Sequence, residues 1–141
     1  MKTLKLHLVA HSPKMETMIA TSMLTTTSGA MPSTLYNRLL VKPEKVADIV
    51  GRIEVQHGNI LEHNRLVWRL EATRDEILTI MLRSKFFNIT EAGEDQWIMS
   101  SNLRTLVEYH QANKDKFSEQ MVESIKEAAP QIYGFIRRKT E

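Results

Sequence analysis

Leu66-Val67-Trp68-Arg69-Leu70, inside the stretch from Leu61 to Ala72, decides the fold class. Leu66, Trp68 and Leu70 fall on one side of an extended chain, and Arg65, Val67 and Arg69 on the other. A period of two marks a strand with one buried face. Beyond it the period changes. Thr73 or Asp75 caps a helix that carries Ile77, Leu78, Ile80, Met81 and Leu82, with Asp75 and Glu76 placed to favour the helix dipole. Asn88 to Asp95 is polar, contains Gly93 and reads as a loop. Trp97-Ile98-Met99 predicts a further short strand, and Ser100-Ser101 caps a helix with Leu103, Leu106, Val107 and His110. After Asn113 a last helix carries Phe117, Met121, Ile125 and Ala128, interrupted at Pro130 before Ile132, Phe135 and Ile136.

On the N-terminal side, Leu4, Leu6 and Leu8 alternate with Lys5 and His7, which predicts a first strand. Ser12-Pro13 opens a helix with Ser12 as its cap and Met15, Met18, Ile19 and Met23 as its apolar stripe. That helix stops near Ser28-Gly29, and a helical turn covers Leu35 to Leu40. Pro43 starts another helix with Val46, Ile49, Val50 and Ile53 on one face, ended by Gly58. The sum is an α+β protein: a small, mainly antiparallel sheet packed with several helices, in a single domain over residues 1–141. The chain shows no internal repeat, linker or low-complexity segment.

Composition narrows the function classes. Apolar content of 42% and charged content of 26% are those of a globular chain with a real core. A net charge of +2 gives no strong nucleic-acid signal. Basic residues gather at Lys126, Arg137, Arg138 and Lys139, where a solvated helix end accounts for them. With no cysteine, disulfides, thiolate nucleophiles and cysteine-zinc sites are excluded. Lys5 and His7 break the apolar character of Met1 to Ala10, and no run approaches the roughly 20 apolar residues of a membrane helix. The expectation is a cytoplasmic protein without a membrane partner. His57, Glu62 and His63 lack the one-turn histidine spacing of a zinc helix because Gly58 intervenes, so no metal is expected. No glycine-rich phosphate loop is present. The methionines of Met15 to Met23 read as core, with an adaptable partner-binding face as the alternative.

Several stretches resemble one family in the right order. Leu8-Val9-Ala10-His11-Ser12-Pro13 is similar to the first strand and helix entry of the flavin-dependent thymidylate synthases. His57-Gly58-Asn59-Ile60-Leu61-Glu62-His63 resembles their G-H-x-S-x-L-E-H signature, which also leads into a strand. Asn102-Leu103-Arg104-Thr105-Leu106, after the Trp97 strand, resembles their N-A-R-S-L, and Ala128-Ala129-Pro130 resembles their ending. The resemblance implies an α+β fold, a homotetramer with shared sites, and FAD-dependent methylation of dUMP to dTMP. Residue by residue it implies cofactor-binding roles for His57, Asn102 and Arg104 against FAD, and phosphate-binding roles for Arg83 and Lys85.

The pattern also departs from the family. Its central R-H-R motif reads Arg83-Ser84-Lys85 here, and the downstream serine and arginine fall near Gly93 and Asp95. A carboxylate in place of a guanidinium repels a phosphate that the arginine would clamp. A later uridylate-binding arginine is replaced by Asn113, and the stretch from Lys85 to Trp97 is too short for the family's nucleotide-site insertion. The expectation is therefore a homologue without dUMP methylation activity, repurposed as a binding or interaction protein and forming a homo-oligomer, a tetramer by the resemblance. The alternative is a flavin enzyme of pyrimidine nucleotide metabolism with a reduced site, still binding flavin or a uridine nucleotide.

Overall fold

A computed structural model describes residues 4–25, 27–53 and 58–139. In chain order the elements are β1 (Lys5–His11), α1 (Met15–Thr25), α2 (Pro32–Leu40), α3 (Pro43–Val50), a 3-10 turn (Gly58–Glu62), β2 (Leu66–Glu71), α4 (Arg74–Arg83), β3 (Asn88–Gly93), β4 (Gln96–Ser101), α5 (Leu103–Asn113), α6 (Lys116–Ser124) and α7 (Pro130–Lys139). The four strands form one antiparallel sheet in the order β1-β2-β4-β3, which makes the protein α+β.

The alternation read at Leu66 to Leu70 places β2 in the middle of that sheet. Trp68 lies opposite Leu8 on β1 and Met99 on β4, and Leu70 opposite Leu6 and Trp97. These side chains form the face that the helices cover, and Leu66, Trp68, Leu70 and Met99 are wholly buried. The indole N–H of Trp68 donates to Ser124 Oγ at 2.8 Å, so the largest core side chain also satisfies its polar atom. On the opposite face His7, Arg69, Ile98 and Thr90 stand in register across the sheet, all exposed. At the outer edge of β1 the Gln120 amide donates to Leu4 O and accepts from Leu6 N, both at 2.9 Å. That pair of bonds occupies backbone groups an edge strand would otherwise leave open.

Several boundaries differ from the sequence expectation. Asn88 to Asp95 is not a loop: β3 runs over Asn88–Gly93 and pairs with β4 as a hairpin. Polar side chains hid it, because an edge strand with one solvated face needs few apolar residues. The turn is legible afterwards in its backbone, with Gly93 at φ 151° and Asp95 at φ 56°, both positive values. The first helix starts at Met15 rather than Pro13. Ser12 instead extends the β1–β2 pairing: its N–H donates to Arg65 O at 2.9 Å and its hydroxyl accepts from Arg65 N at 2.8 Å. Lys14, at φ 52°, then turns the chain into α1. Pro32 opens α2 earlier than expected and Val50 ends α3 well before Gly58, while the interruption expected at Pro130 is a full break, with α6 ending at Ser124 and Pro130 opening α7.

The Glu16 carboxylate on α1 accepts from Ile132 N at 2.8 Å and so satisfies a free donor in the first turn of α7. Burial raises the pKa of Glu16 above the usual carboxylate value, against the opposing pull of the α7 backbone N–H groups. Among the described residues no helix is long and apolar enough to cross a membrane.

Candidate functional site

β4 delivers the chain into α5, and the cap of that helix is Asn102 rather than Ser100 or Ser101. Asn102 Oδ1 accepts from Thr105 N at 2.9 Å, satisfying one of the free N–H groups of the first turn. Two residues on, Arg104 lies between two carboxylates. Its Nε donates to Glu108 Oε1 at 2.8 Å and its Nη1 to Glu62 Oε1. Glu62, at the end of the 3-10 turn, thereby ties the segment of the resembled G-H-x-S-x-L-E-H signature to α5. The hydrogen bonds to Glu108 and Glu62 push the guanidinium pKa further up.

Arg83, the last residue of α4, donates from Nη1 to Asp115 Oδ2 at 2.6 Å. The same carboxylate oxygen accepts from the Tyr109 hydroxyl at 2.7 Å, while Oδ1 accepts from Ser118 N and caps α6. One carboxylate thus joins α4, α5 and α6. Desolvation, reinforced by the bond to Asp115, raises the Tyr109 hydroxyl from 10.0 to about 12. Behind Tyr109, its ring meets Phe117 and Phe87 edge to face, with centroids 5.2 and 5.8 Å apart. His110 is wholly buried and its Nδ1 lies 2.9 Å from Ser118 Oγ. Ser118 is equally buried and engaged with the Asp115 backbone, so this histidine and serine pin α5 to α6 and present no nucleophile.

Between α4 and α5 lies an open cleft of about 470 Å³ lined by Met81, Arg83, Lys85, Phe86, Glu108 and Tyr109, among others. The structure brings Arg83 and Lys85 together at this cleft. Asn102 and Arg104 do not line it, although Glu108, the partner of Arg104, does. His57 lies outside the described residues. Asn102 Oδ1 and the Nε and Nη1 of Arg104 are thus already engaged within the chain. Asp95, where the resembled family carries an arginine, sits in the β3–β4 turn with its carbonyl accepting from Ala72 N at 3.1 Å.

Sequence reasoning missed the feature beside this cleft. Leu78, Met81 and Leu82 belong to the apolar set read on α4 without a face being assigned, and they are 55%, 56% and 79% exposed, with Phe86 just beyond 60% exposed. Only Ile77 and Ile80 of the α4 side chains are buried. The signal was available: Ile77, Leu78, Ile80, Met81 and Leu82 surround more of a helix than one core contact can cover. Conversely, Met15 is buried in the core and Met18 and Met23 are half-buried, so the methionine-rich α1 leaves less apolar surface open than α4 does. No protein-family profile matches the chain, and none of the curated proteins matches it significantly.

Proposed function

We propose that this chain is a degenerate relative of the flavin-dependent thymidylate synthases that does not methylate uridylate and acts as a binding or interaction protein. The observation that supports the reading is the use of the polar residues that the resemblance singles out. Asn102 serves the α5 cap, Arg104 bridges Glu62 and Glu108, and Arg83 holds Asp115. The first holds the start of α5, the second ties α5 to the 3-10 turn and the third ties α4 to the start of α6, and each engages polar atoms that a cofactor would otherwise meet. The exposed apolar residues of α4 give the same scaffold a surface suited to association, in keeping with a homo-oligomer.

A second reading has one observation in its favour. Arg83 and Lys85 share the cleft between α4 and α5, where they could meet the phosphate of a flavin or of a uridine nucleotide. The two readings separate in one experiment: the purified protein is mixed with FAD, passed through gel filtration and examined by absorbance, with and without deoxyuridylate. The expected result is a colourless protein with no nucleotide-dependent turnover. A retained flavin band that disappears in Arg83→Ala or Asn102→Ala would establish the enzyme reading instead.

A further inference from the structure

The outward face of α4 carries a pattern that is complementary to itself. Asp75, Leu78 and Leu82 follow one another at three- and four-residue spacing, which sets them along one stripe of the helix. All three are exposed, and Lys85 and Phe86 continue the exposed surface past the helix end. The other charges of this segment are already engaged. Arg74 pairs with Glu91, Glu76 completes the capping box with Thr73, and Arg83 pairs with Asp115. Asp75 and Lys85 form no ion pair among the described residues, and Lys85 instead stands 5.5 Å from the centre of the Phe86 ring. The helix therefore has an anionic start, an apolar middle and a cationic end.

We infer that this face docks against the same face of a second copy, with the two α4 helices antiparallel about a two-fold axis midway between Leu78 and Leu82 on the outward side. The axis relates Leu78 of one copy to Leu82 of the other and brings the anionic start of each helix, at Asp75, towards the cationic segment just past the end of its partner, at Lys85. A parallel arrangement would instead set Asp75 against Asp75 and Lys85 against Lys85. A two-fold contact closes on itself, which limits the assembly at this face to a pair. The inference rests on the interaction-protein reading and names its partner as a second copy of the chain. It is independent of whether flavin binds, so a positive flavin result would overturn that reading without touching this contact.

The test uses the whole chain and exploits its lack of cysteine. Sedimentation or light scattering across a dilution series should show a dimer that dissociates on dilution. Leu82→Glu should leave a monomer with an unchanged far-ultraviolet circular dichroism spectrum, since the side chain is 79% exposed and its loss does not touch the core. Asp75→Lys and Lys85→Asp should each raise the dimer Kd several-fold, more so at low salt, and the double exchange should restore it. Leu78→Cys and Leu82→Cys, mixed and mildly oxidised, should give the mixed disulfide in preference to either homodimer. A parent protein that stays monomeric at its highest soluble concentration overturns the inference. So does a dimer indifferent to Leu82→Glu, a double exchange that fails to restore association, or cross-linking that favours the homodimers.

Discussion

Helices α4 and α5 begin alike and end in different surroundings. Each follows a strand of the sheet, each is capped by a side chain that accepts from the third backbone N–H, and each carries five or more apolar residues at helical spacing. Yet α5 buries Leu103, Leu106, Val107, Tyr109 and His110, whereas α4 buries Ile77 and Ile80 and leaves Leu78, Met81 and Leu82 at the surface. The difference teaches that apolar content fixes how much surface a helix would gain by burying, while neighbours fix how much it does bury. Packed against α6 and the 3-10 turn, α5 is enclosed. The crossover from β2 to β3 carries α4 along the margin of the helical layer, where one side has a core to meet and the other has none within the chain.

The largest effect tests the contrast directly. Leu106→Ala in α5 should cost about 2–5 kcal/mol in urea unfolding, because a fully buried leucine leaves a cavity. Leu82→Ala in α4, measured where the protein is dilute enough to be monomeric, should stay within about 0.5 kcal/mol. Equal costs at the two sites would break the comparison.

The caps sharpen it. Asn102→Ala and Thr73→Ala should each cost about 1 kcal/mol, since both remove an acceptor for a first-turn N–H. Native-state amide exchange should distinguish them: loss of Thr73 raises exchange locally in α4, whereas loss of Asn102 is felt through the whole α5–α6 unit. Asn102→Asp keeps the acceptor and should restore most of the stability. Such a rescue would show that the asparagine works as a cap in the free protein.

The alkaline limb of the stability curve reports the α5 side alone. Tyr109 has its folded pKa raised from 10.0 to about 12, so its contribution is complete below pH 10 and is lost as pH climbs towards 12. Tyr109→Phe should flatten that limb, and a tyrosinate absorbance titration should lose its latest-ionising component. A titration whose alkaline end is unchanged by Tyr109→Phe would remove the link to Asp115 from the account.

The smallest effect belongs to α4. Arg74→Ala breaks an exposed pair with Glu91 and should change stability by less than about 1 kcal/mol, falling towards zero in high salt. A larger loss would mean that the β3 hairpin depends on this pair to hold α4 in place.

Much of the architecture was legible because burial on one face of a strand imposes a period of two. Leu66, Trp68 and Leu70 announced the central strand, and Trp97 and Met99 its neighbour. Arg83 and Lys85, singled out in the sequence by the resemblance alone, both line one cleft. β3 was not readable, because an edge strand can be polar on almost every residue and is defined by the partner it bonds. The ties of Arg104 to Glu62 and of Arg83 to Asp115 were equally hidden, since each joins residues far apart in the chain. That Asn102, rather than Ser100 or Ser101, caps α5 rests on the N–H of Thr105 beside its side chain, which only the fold shows.

By itself, then, the sequence determined the α+β class, the central strands, the helical segments and the absence of thiol chemistry, because alternation, helical spacing and residue type act locally. Only the tertiary structure decided which apolar stripe faces the core, which cation already has its anion, and that α4 presents leucines to solvent. Those are properties of what lies opposite a side chain, and what lies opposite is set by the packing of distant segments.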